Sequence, residues 1–152
     1  MRTINRKINL IVIHCSATRV DKDYTPEQLE RDHKARGFNS AGYNYYIRSG
    51  EIVSMRPLEL IPAHVTGYNK NSIGICYEGG LDPDGNPDDT RTEAQRQSII
   101  RLLLDLVVQF PDSRICGHRD LSPDLNGNGK IEPDEWMKMC PCFNAEEEYR
   151  NI

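Results

Sequence analysis

His14, His118 and Cys140 are candidates in this 152-residue chain to hold a metal ion between them. A catalytic zinc takes about three nitrogen, sulfur or carboxylate ligands and leaves one position for water. Their separations are far too long for a zinc finger, whose ligands come in close pairs. Ligands spread along the chain suit a site assembled at strand ends. Spacing alone does not select this triple, since four histidines and five cysteines allow many others.

The elements around these residues read clearly. Leu10-Ile11-Val12-Ile13 is a continuous apolar, β-branched run, the pattern of a strand covered on both faces, and it ends at His14. Thr25-Pro26-Glu27-Gln28 offers an N-cap, a proline at the first helical position and a glutamine at the third, so a helix opens there and Gly37 can close it. Tyr43 to Ile47 and Ile52 to Met55 flank Ser49-Gly50 as a hairpin, and Ile73 to Tyr77 is a further buried strand closed by Gly79-Gly80. Asp82 to Asp89 is rich in turn formers and acids and predicts a solvated loop. From Thr92 a long helix carries Ile99, Leu103, Leu106 and Phe110 at helical spacing, with Ile100, Leu104 and Val107 widening the stripe until Pro111. A short strand, Arg114 to Cys116, then delivers Gly117-His118-Arg119-Asp120. Strands interleaved with two helices predict a single α/β domain over residues 1–152, a central mixed β-sheet flanked by helices.

Composition narrows the function classes. No apolar run approaches the roughly 20 residues that cross a bilayer, and the one near the N-terminus is shorter than the apolar core of a secretory signal. The expectation is a soluble monomer, synthesised in the cytoplasm without a signal peptide. Nineteen basic against 23 acidic residues give a net charge of −4 with no basic block, which argues against nucleic acid as a partner. Five cysteines, an odd number, argue against a full disulfide framework.

The blocks IVIHCSAT, HKARGF followed by GYNYYI, AHVTGYNKNSIGICYEGG, GHRD and KMCPCF occur in the order found in zinc-dependent N-acetylmuramoyl-L-alanine amidases. The chain most resembles the small lysozyme-like amidases of tailed phages and, more distantly, the peptidoglycan recognition proteins, over roughly residues 8 to 145. That resemblance implies the amidase/peptidoglycan-recognition-protein-like fold and hydrolysis of the amide joining N-acetylmuramic acid to L-alanine, in peptidoglycan or soluble muropeptides. It makes His14, His118 and Cys140 zinc ligands, Tyr43 the active-site tyrosine and Lys138 the catalytic lysine. Zinc would acidify water and polarise the carbonyl, while Lys138 would stabilise the oxyanion. His64 matches a cleft-lining histidine and is read as a substrate contact, with Asn71 beside it and Tyr68 and Asn69 shaping the groove. Some bacterial members carry a glutamate base where this chain has Cys76, so the base stays open among Tyr43, a zinc hydroxide and Glu78. The competing readings are a non-catalytic peptidoglycan-binding module on the same fold and a regulator that binds another protein. Cys140, which such binding modules typically lack, favours the enzyme. Without a signal peptide, action on the cell wall requires export or release by lysis.

One segment falls outside the resemblance. Asp124 to Glu135 is inserted between His118 and Lys138 and matches an EF-hand calcium loop. Oxygen-bearing Asp124, Asn126, Asn128 and Glu132, the Lys130 carbonyl and Glu135 would be its ligands, with Gly129 at the sharp turn. The other reading is an Asn-Gly turn with acidic caps and no ion. Elsewhere, His33 reads as a packing or surface residue of the first helix, and Cys15, Cys76 and Cys116 as small buried hydrophobes. Cys142 is either a bystander or a disulfide partner. Asp120 reads as structural near His118, Glu146 to Glu148 as a solvated helix face, and Trp136 as an anchor or a groove residue.

Overall fold

The computed structural model describes residues 4–123, 125–133, 136 and 139–152. Its strands are β1 (Leu10–Cys15), β2 (Thr18–Arg19), β3 (Tyr45–Arg48), β4 (Glu51–Ser54), β5 (Ser72–Tyr77), β6 (Gly80–Leu81) and β7 (Arg114–Gly117). The helices are α1 (Pro26–Ala35), α2 (Glu93–Gln109) and α3 (Ala145–Glu148). Five strands form one sheet in the order β4-β3-β5-β1-β7. β1 lies parallel to both β5 and β7, β3 is parallel to β5, and only the β3–β4 hairpin is antiparallel. The sheet is therefore mixed, as the strand pattern predicts. β2 and β6 pair separately, a small parallel ladder that the strand pattern does not predict.

All six residues of β1 are buried, and this explains their composition, because both faces of the strand are covered. Ile11, Ile13, Ile73, Ile75 and Ile47 face Ile99, Leu102, Leu103 and Leu106 of α2. The alternate positions Leu10 and Val12 pack with Val65 and Cys116 on the opposite face. His14 shares their parity, so it points away from α2. The register sets His14 level with Cys76 and Ile13 level with Gly117. This brings the carboxyl ends of β1 and β7 side by side, the usual place for a site in a parallel sheet.

Both long helices begin as their caps require. Thr25 accepts from the Gln28 amide, and Thr92 forms a reciprocal capping box with Gln95. The α2 stripe differs from expectation on one side. Leu102 joins the core, whereas Ile100 and Leu104 stay at the surface, because the face that meets the sheet runs through 95, 98, 99, 102, 103 and 106. The C-terminal acids also differ, since Glu148 does not face solvent alone. Arg91, whose side chain is fully buried, bonds Asp89 at 2.9 Å, Glu148 at 2.6 Å and the Tyr149 hydroxyl at 2.9 Å. Its guanidinium sits 3.3 Å from the Phe143 ring centre. This cluster fastens the C-terminal segment to the entrance of α2. Among the described residues, no helix is long and apolar enough to cross a membrane.

Candidate active site

The ends of β1 and β7 deliver two imidazoles, and a separate arm brings a thiol to meet them. His14 is the fifth residue of β1 and is 1% exposed. His118 follows β7 directly and opens a single helical turn, His118–Leu121. Asp120 sets that turn by accepting from the Gly117 amide at 2.8 Å, which is the structural role expected for it. Cys140 arrives on an arm held at four points. Its Sγ accepts from the Cys15 amide at 3.1 Å, and its carbonyl accepts from the Arg119 amide at 2.9 Å. Pro141 packs on Gly117, where a Cβ would stand 2.6 Å from the Pro141 ring, and the Tyr77 hydroxyl donates to the Pro141 carbonyl at 2.5 Å. Gly117 is thus required by close approach of this arm.

One ligand atom from each of His14, His118 and Cys140 falls within a 4.8 Å sphere of mutual separation. Two imidazole nitrogens and one thiolate sulfur form a donor set suited to a tetrahedral zinc with its fourth position open. The residues present therefore fit the metal. His14 also presents its Nε2 to His64 Nδ1 at 2.7 Å, so a metal would meet the Nδ1 side of the His14 ring. The rings of His14 and His118 lie 4.7 Å apart between centres, and those of His14 and Tyr43 lie 4.9 Å apart.

These groups share a cavity of about 510 Å³ whose walls include Tyr24, Arg36, Phe38, Tyr43, Thr66 and Asn69. A second hollow of about 630 Å³ lies on the other side of β7, between Arg114, Arg119 and Trp136, and has no histidine or cysteine in its wall. Burial holds the Tyr43 phenol well above its ordinary value, so it remains a proton donor at neutral pH. Burial, followed by the nearby charges of His118, Arg6 and Arg56, pushes His64 down to about 3 and keeps it neutral.

Several residues make contacts that the sequence does not indicate. His64 touches His14 directly, and its Nε2 lies 2.7 Å from the Ser72 hydroxyl. Asn71 bonds Asn9 at 2.6 Å and is not part of the cleft wall; Asn69 is, with its side-chain oxygen accepting from the amides of His64 and Val65. Glu78 turns to Arg48 and to the Tyr24 amide, away from the histidines. His33, read from sequence as packing, is buried and also walls the cleft, its Nδ1 accepting from the Gly42 amide at 2.7 Å. Its burial was legible as the turn below Leu29 on α1, but its place beside Tyr43 depends on the chain returning at Gly42. Burial, then Arg36, lowers the His33 pKa. All five cysteines are free thiols, and the Cys142 thiol donates to the Gly80 carbonyl at 3.4 Å. Lys138 lies outside the described residues, as do Asp124 and Glu135 of the inserted loop. Within that loop Asn126 and Asn128 both donate to Glu132, and their own side-chain oxygens accept from the amides of Asn128 and Lys130. Trp136 stacks on Arg119 at 3.8 Å.

Comparison with known proteins places this geometry. The sequence profile described as N-acetylmuramoyl-L-alanine amidase matches residues 4–135, a span that includes His14, Tyr43 and His118 and ends before Lys138 and Cys140. An endolysin of Klebsiella phage KP32 is 33% identical over 143 residues, covering 93% of this chain and 85% of its own length. The solved structure of N-acetylmuramoyl-L-alanine amidase LysC from Clostridium intestinale is similar with a TM-score of 0.70 and 28% identity, over 95% of this chain and 83% of that one. Bumblebee PGRP-SA has the same fold, with a TM-score of 0.70 at 19% identity over 99% of this chain and 86% of its own.

Proposed function

The chain belongs to the N-acetylmuramoyl-L-alanine amidase family, and from that premise we propose that it cuts the bond between N-acetylmuramic acid and L-alanine with a zinc ion held by His14, His118 and Cys140. The observation that carries this reading is the meeting of two imidazoles and a thiol within 4.8 Å at the floor of a cleft. Bound there, zinc supplies an acidified water and polarises the scissile carbonyl.

The protein's own groups do the rest. Tyr43 keeps its proton and stands 4.9 Å from the His14 ring, so its hydroxyl orients the attacking water or donates to the oxygen that gains charge. Lys138, two residues before Cys140 in the sequence, is proposed as the cation that stabilises that oxygen. Glu78 is spent on Arg48 and the Tyr24 amide, which favours Tyr43 and water over a carboxylate base. The proposed substrate is peptidoglycan or its fragments, met by a monomer that reaches the wall by export or by release on lysis.

The test is mass spectrometry of sacculi and soluble muropeptides incubated with the protein, with and without a zinc chelator. Stem peptides with a free N-terminal alanine are expected, lost on chelation and restored by Zn²⁺. Bound zinc without cleavage of either substrate would instead support the non-catalytic binding module.

Calcium in the inserted loop is a separate proposal. It is supported by the match of Asp124, Asn126, Asn128, Lys130 and Glu135 to an EF-hand loop. Adding Ca²⁺ to chelator-treated protein is expected to raise Tm, and Glu135→Ala to remove the rise. An unchanged Tm in the parent protein rejects the ion.

A further inference from the structure

We propose that His64 and Ser72 are positioning residues that fix the tautomer of His14, a role distinct from substrate contact. The inference rests on the zinc reading above and deepens it. His64 sits between two partners, its Nδ1 2.7 Å from His14 Nε2 and its Nε2 2.7 Å from Ser72 Oγ. A neutral imidazole has one donor and one acceptor nitrogen, so this three-membered chain has only two possible directions. In one, His14 Nε2–H donates to His64, and His64 Nε2–H donates to the Ser72 hydroxyl. In the other, Ser72 donates to His64, His64 donates to His14, and His14 must carry its proton on Nδ1. Only the first leaves Nδ1 of His14, the nitrogen not engaged by His64, unprotonated and able to take a metal. Metal-bound histidines generally hand their second N–H to such a partner, which fixes ring orientation and raises ligand basicity.

The surroundings are built to hold His64 in this place. Ser72 is 0% exposed and lies level with Leu10 in the β1–β5 ladder, two residues from Gly74, which lies level with Val12. Side chains level across a parallel pair share a face, so Ser72 and Gly74 flank the strand that carries His14. A Cβ on Gly74 would stand 2.9 Å from His64 Nδ1 and 3.0 Å from its Cγ, so glycine is what admits the ring. The backbone of His64 is pinned from the other side, where Asn69 Oδ1 accepts from the His64 amide at 3.0 Å and the Val65 amide at 2.9 Å. The Ser72 carbonyl is itself engaged by Arg6 at 2.6 Å.

Two readouts test this without relying on turnover. Nitrogen-15 NMR of the imidazoles reports which ring nitrogen of His14 bears the proton, in protein before and after zinc is added. Zinc affinity is read by competition with a chromophoric chelator. The expected result is the Nε2–H tautomer of His14 in the parent protein, and a 10–100-fold weaker zinc affinity in His64→Ala. His64→Asn, whose side-chain carbonyl can accept from His14, is expected to recover most of that loss. Ser72→Ala is expected to weaken zinc binding less than His64→Ala does. An Nδ1–H tautomer of His14 overturns the proposal, as does unchanged zinc affinity in His64→Ala accompanied by a raised KM, the mark of a substrate contact. Failure of the parent chain to bind zinc at all would sink the metal reading, while the tautomer measurement would still decide the direction of the chain.

Discussion

Cys140→Ser is expected to leave a folded protein with little bound zinc and an amidase rate reduced by roughly 10³ or more. The thiolate is the one anionic donor of the proposed set, and a serine hydroxyl, protonated at neutral pH, is a far poorer ligand. Its loss removes the acidified water and the polarised carbonyl together, so the effect should exceed the roughly 10²–10³ that accompanies loss of a single oxyanion donor. The fold should survive. The arm is also held by the Arg119–Cys140 backbone bond, the packing of Pro141 on Gly117 and the Tyr77 hydroxyl, none of which involves the sulfur. Metal content by mass spectrometry, circular dichroism and muropeptide turnover would be measured on the same sample. A variant that keeps one zinc per chain and activity within tenfold of the parent would move the third ligand elsewhere, with Cys142 and Cys15 the nearest thiols.

The second large effect is on stability. Arg91→Met is expected to destabilise the protein by about 2–3 kcal/mol, or roughly 5–10 °C in Tm at this chain length. The methionine retains contact with Phe143 but leaves Asp89 and Glu148, which share the Arg91 guanidinium, with only the half-exposed Arg96 as a cationic partner among the described residues. Their side chains are 25% and 36% exposed, so water recovers part of the lost pairing, and the estimate sits below that for a fully buried pair. A pH signature accompanies it. Burial alone would raise the Asp89 pKa, but the hydrogen bonds and charge of Arg91 outweigh it and bring it below the ordinary value. The Arg91 hydrogen bonds hold Glu148 below its ordinary value too. Carboxyls with depressed folded-state pKa values contribute stability that is complete above the unfolded value near 4 and is lost as pH falls through the lower folded values. Parent Tm should therefore fall on acidification below about pH 4, and the fall should be shallower in Arg91→Met. A variant with the parent's acid slope would show that these pairs are not its source.

What the sequence made legible follows from where the information lies. β1 could be read because burial on both faces leaves a continuous apolar run, and α1 and α2 because Thr25, Pro26, Thr92 and Gln95 are local cap signals. The exposure of Ile100 and Leu104 was not legible, since an apolar stripe wider than the contact face does not say which edge meets the sheet. The pairing of Arg91 was not legible, because Glu148 and Tyr149 lie more than fifty residues further along the chain. Family blocks located His64, yet its orientation depends on Ser72 and on the missing Cβ of Gly74, both on another strand. The metal triple was recognisable by its blocks, and the bonds from Cys15 and Arg119 that hold the arm are backbone donors, which leave no mark in residue identity.

β1 is the first strand in the chain but pairs with the fifth and the last, and the donors at its end and beyond arrive at positions 14, 118 and 140. Residue order is thus also an order in time. During synthesis, a chain halted just past His118 has every described strand of its main sheet and two of its three proposed donors, but not the third. A copy clipped ahead of Cys140 is in the same condition. On the proposed donor set, a product that stops short of residue 140 is expected to hold zinc poorly and to leave the amide uncut.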